Sequence, residues 1–86
     1  MSTQKLLTDG AIGINLKRIR KSRGWSQAYL AAQMQLQGSN ISRETLAKIE
    51  NGRNIKVDDL ITAKIVLRTT LDELFDGIES NINNLF

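Results

Sequence analysis

The chain has 86 residues, 41% of them apolar, which suffices for one small core without a disulfide or metal to staple it. It contains no Cys and no His, so disulfides, thiolate chemistry, the commonest metal ligand and the usual acid–base side chain are all excluded. The net charge of +3 is unevenly placed: residues 1–53 carry nine Lys/Arg against three Asp/Glu, and residues 54–86 carry three against six.

A basic half on a small domain suggests a polyanionic partner, although an accidental asymmetry of surface charge gives the same split. No apolar run reaches membrane-spanning length, and no signal-peptide core stands at the N-terminus. A cytoplasmic protein with no membrane partner, no metal and no cofactor is therefore expected.

Residues 1–8 show no period and are expected to form a flexible arm. Thr8 or Asp9 is placed to cap a first helix, in which Ile12, Leu16 and Ile19 recur at helical spacing. Lys17, Arg18, Lys21 and Arg23 fall mostly off that stripe and are expected to be solvated. Gly24 ends the helix, Trp25 precedes a Ser26 N-cap, and Tyr29 or Leu30 can pack back on the indole. A second helix then runs from about Gln27 to Gln35 or Gln37 with Leu30, Ala31 and Met34 inward.

Gly38-Ser39-Asn40 is a turn cluster. Ile41 is expected to plug into the core ahead of a Ser42 cap. A third helix follows and stops at Gly52. Asp58 and Asp59 favour the first turn of a fourth helix, whose stripe is Leu60, Ala63 or Lys64, and Leu67. Thr70-Leu71-Asp72-Glu73 forms a capping box that opens a fifth helix with Leu71, Leu74 and Phe75 apolar. With no Pro and no period-2 run, the fold class is all-α: five short helices.

Residues 42–53 are the most informative stretch. Leu46 and Ile49 face a core, which leaves Arg43, Glu44, Ala47 and Lys48 on the opposite face. Arg and Lys reach guanine edges in a major groove, and Glu accepts from cytosine. The residues thus suggest a DNA-recognition helix, although an ordinary amphipathic helix with a solvated charged face has the same pattern.

Five pieces in order decide how the rest is read: Leu16 to Arg20, Gly24-Trp25-Ser26-Gln27, Leu30-Ala31, Ser42 to Arg53, and Leu71-Asp72-Glu73-Leu74-Phe75. Over roughly residues 12 to 76 the chain resembles the Cro/repressor-type, lambda-repressor-like helix-turn-helix family of phage, prophage and bacterial regulators. The resemblance implies that Arg43, Glu44, Ala47 and Lys48 face base edges. Gln27 would contact a phosphate, Thr45 a base or a phosphate, and Asn51 and Arg53 would hold the backbone just past the recognition helix. Arg20 and Glu50 fall where the family places a buried ion pair joining the first and third helices. This chain departs from compact members in a longer link before Ser42, and in Lys64 and Arg68 where small residues are more usual.

The expected organisation is an arm at 1–8, a helix-turn-helix domain at 9–76 and a tail at 77–86. Lys17 and Lys21, with Arg18, Lys48 and Arg53, would supply phosphate contacts and steering. A short recognition helix defines too few bases alone, so a homodimer on double-stranded DNA is expected. Phe75, Ile78, Ile82 and Leu85, spaced three, four and three, offer an apolar stripe for dimer contact; the alternative is that the segment folds back on its own core or frays, as Gly77 and the Asn residues favour. The function read here is a sequence-specific DNA-binding repressor. The alternative is a protein-interaction module of the same fold, such as an antitoxin or partner-docking domain. An enzyme is not expected: the acidic pairs Asp58-Asp59 and Asp72-Glu73 sit where helix first turns favour acid.

Overall fold

Residues 10–77 are described in the computed structural model of the chain. The arm at 1–8 and the stripe residues Ile78, Ile82 and Leu85 lie outside them. The described residues form five α-helices and no strand: α1 (Ala11–Ser22), α2 (Gln27–Leu36), α3 (Arg43–Glu50), α4 (Val57–Leu67) and α5 (Leu71–Leu74). Alpha-helical periodicity in the sequence thus gives an all-α domain, as expected.

Each helix contributes its apolar stripe to one core. Ile12, Leu16 and Ile19 come from α1, Leu30, Ala31 and Met34 from α2, and Leu46 and Ile49 from α3. Leu60, Ala63 and Leu67 of α4 and Leu74 of α5 complete it, with Ile41 and Ile55 plugged in from the links. Burying each Leu or Ile stabilises the fold by about 1.5–3 kcal/mol. The helix α1 packs on α3 and α5, while α2 packs on α3 and α4. Of the apolar residues at the start of α5, Leu74 is its buried anchor and Leu71 is exposed.

Ser26, Ser42 and Thr70 cap α2, α3 and α5 through their hydroxyls. The expected cap residues of α1, Thr8 and Asp9, lie outside the described residues. The N-cap position belongs to Gly10, which has no side chain to cap with. At α5 the Glu73 carboxylate accepts a hydrogen bond from the Thr69 hydroxyl (2.6 Å). That bond, helped by the Thr70 backbone N–H, holds Glu73 below the ordinary glutamate range.

The helix ends share one device. At the end of α3 the Arg53 N–H donates to the Lys48 carbonyl (2.9 Å) and the Gly52 N–H to the Ile49 carbonyl (3.0 Å). This is the Schellman stop, and it puts Gly52 at φ +109°. At the end of α4 the same pair of bonds runs from Thr69 to Lys64 and from Arg68 to Ile65. There the left-handed position, at φ +53°, is held by Arg68. The sequence departure at Arg68 is therefore a side chain standing where the backbone favours glycine.

Two long-range polar contacts close the bundle. Asn15, buried in α1, donates through Nδ2 to the carbonyls of Leu74 (2.9 Å) and Asp76 (2.8 Å), satisfying carbonyls at the end of α5. Arg23, expected to be merely solvated, donates through Nε to the Leu67 carbonyl (3.1 Å) and so ties the end of α1 to the end of α4.

Candidate nucleic-acid interface

The helix α3 is held from behind and bare in front. Behind, Leu46 and Ile49 are buried in the core. Gly13 of α1 meets the α3 backbone directly: a Cβ at that position would lie 1.8 Å from the Ile49 carbonyl oxygen. Only a glycine allows this approach, so Gly13 sets the distance between the two helices.

Glu50, the last residue of α3, carries a second restraint. Its Oε2 accepts from Arg20 Nε (2.7 Å) and its Oε1 from Arg20 Nη2 (2.9 Å). The two side chains are 7% and 1% exposed. A buried charge pair is costly unless its remaining polar groups are satisfied, and here they are. Arg20 Nη1 donates to the Trp25 carbonyl (2.6 Å), and Gln27 Nε2 donates to Glu50 Oε1 (3.0 Å). One carboxylate thus joins α1, the start of α2 and the end of α3. Gln27, half-buried at the first position of α2, is part of this latch. Trp25 stacks edge-on against Tyr29 at 4.8 Å beside the same helix start.

The long link between α2 and α3 is fixed by its own bonds. Gln35 Nε2 donates to the Ile41 carbonyl (2.7 Å), and the Ile41 N–H donates to Ser39 Oγ (3.0 Å). Ser39 Oγ in turn donates to Asp59 Oδ1 (2.8 Å) in the first turn of α4. Asp59 thus has a specific partner in addition to the favourable helix end. The angle of α3 against α2 is set by this brace at one end and by Glu50 at the other.

In front, Arg43, Glu44 and Lys48 are exposed and Ala47 is half-buried between them. Arg43 Nη2 stands 3.6 Å from Glu44 Oε2, with both side chains mostly in solvent. Such a pair contributes about 0–1 kcal/mol, so it leaves both groups available to another partner. Thr45 is half-buried; its N–H donates to Ser42 Oγ (3.0 Å), and its hydroxyl accepts from the same Ser42 (3.1 Å). Asn51 and Arg53 are exposed just beyond the α3 stop.

Lys17 and Lys21 of α1 follow Gly13 at four-residue steps, so they border the side of α1 that meets α3. Arg18 does not join them. It lines a cleft with Asp72, Glu73 and Asp76, on the side of α1 that meets α5, where its charge is locally offset. Phe75 is half-buried and packs on the core of its own chain.

Among the described residues no group of His, Cys, Asp and Glu is placed to hold a metal ion. No described helix is long and apolar enough to cross a membrane. A helix-turn-helix family model matches residues 16–74, from the middle of α1 through α5. The chain belongs to the helix-turn-helix family. Its members are DNA-binding domains of transcription regulators rather than enzymes. In this helix-turn-helix domain α2 and α3 are the two helices of the motif, joined by the braced link. No curated protein and no solved structure matches the chain.

Gly13, Asn15, Ser39 and Gln35 are not among the residues that the sequence marks out for this site. An isolated glycine inside a helical pattern was the available signal for Gly13. The other three make contacts that no local spacing announces.

Proposed function

We propose that this helix-turn-helix protein is a sequence-specific regulator that represses transcription, of the kind found in phages and bacteria, and that it reads double-stranded DNA as a homodimer. The observation that carries this is the division of α3 into a restrained back and a bare front. A reading helix must arrive in the groove with its orientation already fixed and its outward side chains free.

Arg43, Glu44, Ala47 and Lys48 face base edges in this reading. Ala47, small and flanked by long polar side chains, suits a thymine methyl. Gln27, Thr45, Asn51, Arg53, Lys17 and Lys21 hold the phosphates that set register. Gln27 would do so from within the Glu50 latch, so a phosphate held there also stiffens the α2–α3 angle. No cofactor and no metal enters the reading, and the protein works in the cytoplasm.

Selection of bound duplexes from a random library tests it. A palindromic motif is expected, with half-sites about one helical turn, roughly 34 Å, apart. Arg43→Ala and Lys48→Ala should each change or relax the motif, losing about 1–3 kcal/mol of discrimination at one base position. Lys21→Ala should weaken all duplexes alike. Folded protein that enriches no motif would sink the reading in favour of a protein-interaction module.

A further inference from the structure

The outer face of α4 is not built like a solvated helix face. Val57, Ile61 and Ile65 follow one another at four-residue steps and are 56%, 40% and 53% exposed. They stand across the helix from Leu60, Ala63 and Leu67, which are buried. A surface helix ordinarily turns polar residues outward at these positions. Here three β-branched apolar side chains line two turns of open surface.

Charge is sorted along the same helix. Within the helix the first turn holds Asp58, with Asp59 turned to Ser39, and the last turn holds Lys64; exposed Lys56 stands at the N-cap and exposed Arg68 at the stop. An occupant of a single charge sign would suit only one end of this face. A partner whose own charges run acid to base in the opposite direction suits both ends.

We propose that a second copy of this chain docks here, with α4 antiparallel to the partner's α4 about a twofold axis near Ile61. The proposal deepens the dimeric reading above by giving the dimer a surface among the described residues. Centring at Ile61 sets Val57 against the partner's Ile65 and Ile61 against the partner's Ile61. It brings the acidic first turn of each copy level with the basic last turn of the other. It also opposes the two helix dipoles, whereas a parallel pair would align like charges. The contact is isologous and closes on itself, so it yields a dimer and not a filament. Three apolar side chains per copy bury far less than the roughly 1,200 Å² of a stable interface. The free dimer is therefore weak, and two half-sites on one duplex raise its effective concentration.

Sedimentation of the full chain over a wide concentration range, alone and on a twofold duplex, reads the contact. Ile61→Lys should abolish self-association while leaving the helical spectrum and melting temperature unchanged. Asp58→Lys should raise the dimer dissociation constant about tenfold. Adding Lys64→Asp to that variant should restore it. The chain has no Cys, so Val57→Cys mixed with Ile65→Cys should trap even a weak pair as a disulfide heterodimer, in excess over either homodimer.

A dimer that survives Ile61→Lys overturns this surface but leaves the dimeric reading standing. Absence of any dimer, free or on DNA, together with no mixed disulfide, overturns both. Failure of the double charge reversal to restore association overturns the antiparallel arrangement. A monomer whose melting temperature falls with Ile61→Lys would mean that the stripe is already covered within one chain, and would also overturn the proposal.

Discussion

Two residues, Gly13 and Glu50, decide where α3 sits, and they act by opposite physics. Glu50 works by attraction: both carboxylate oxygens are bonded, in a site closed to water. Gly13 works by absence, since its missing side chain is what lets α1 touch the α3 backbone. Gly13→Ala would drive a methyl group into the Ile49 carbonyl, and backbone yields far less readily than a side-chain tip. It should cost about 1–3 kcal/mol, the range for an overpacked core. The measurement is a urea melt, in which the midpoint should fall with the slope unchanged. Equal stability of Gly13→Ala and the parent would mean that the two helices are not in backbone contact. Long-range partners of this kind are what the sequence did not disclose. Asn15 lies 59 residues from Leu74, and Arg23 lies 44 from Leu67. Local pattern indicates which face of a helix is inward, but not which distant carbonyl awaits a donor. The pairing of Glu50 with Arg20 is legible only through the family resemblance.

At the scale of the element, the helices were legible because their punctuation is chemical. Ser26, Ser42 and Thr70 place a hydroxyl where the first free N–H groups need an acceptor. Gly24 and Gly52 stand where the stops require a left-handed residue. Arg68 and Thr69 mark the end of α4 but not its geometry, since nothing in an arginine signals a positive φ. That position supplies a prediction. Arg68 occupies the left-handed region at a cost that glycine avoids, partly offset by glycine's greater freedom in the unfolded chain. Arg68→Gly should therefore raise stability by a few tenths to about 1 kcal/mol, read as a higher urea midpoint. A loss of stability would show that the Arg68 side chain contributes more through packing than its backbone costs. The link before α3 was legible only at its ends, Ile41 and Ser42. Its brace runs through Asp59, twenty residues beyond Ser39, in a helix whose acids already had a sufficient local explanation.

At the scale of the whole molecule, acids of the second half offset one cation of the first. The acids of the second half include Asp72, Glu73 and Asp76, which line one cleft with Arg18. Lys17 and Lys21, on the side of α1 that borders α3, add to Arg43, Lys48 and Arg53 as cations near the proposed reading face. Counterion release then separates Lys21 from Arg18. Each phosphate neutralised by Lys or Arg adds about −0.9 to the slope of log affinity against log salt. Lys21→Ala should make that slope shallower by about one for each bound copy, whereas Arg18→Ala should leave it unchanged. Binding isotherms at several salt concentrations provide the comparison. An equal effect of the two substitutions would place Arg18 on DNA and remove its assignment to the acidic cleft.

The bare front of α3 has an evolutionary consequence. Positions 43, 44, 47 and 48 bear little on stability: the one ion pair there is long and exposed, and the helix is fixed by groups on its other side. Mutation can therefore rewrite them one after another without the fold passing through an unstable ancestor. In the proposed reading, a lineage carrying this scaffold is free to acquire new operators as fast as selection on its DNA allows.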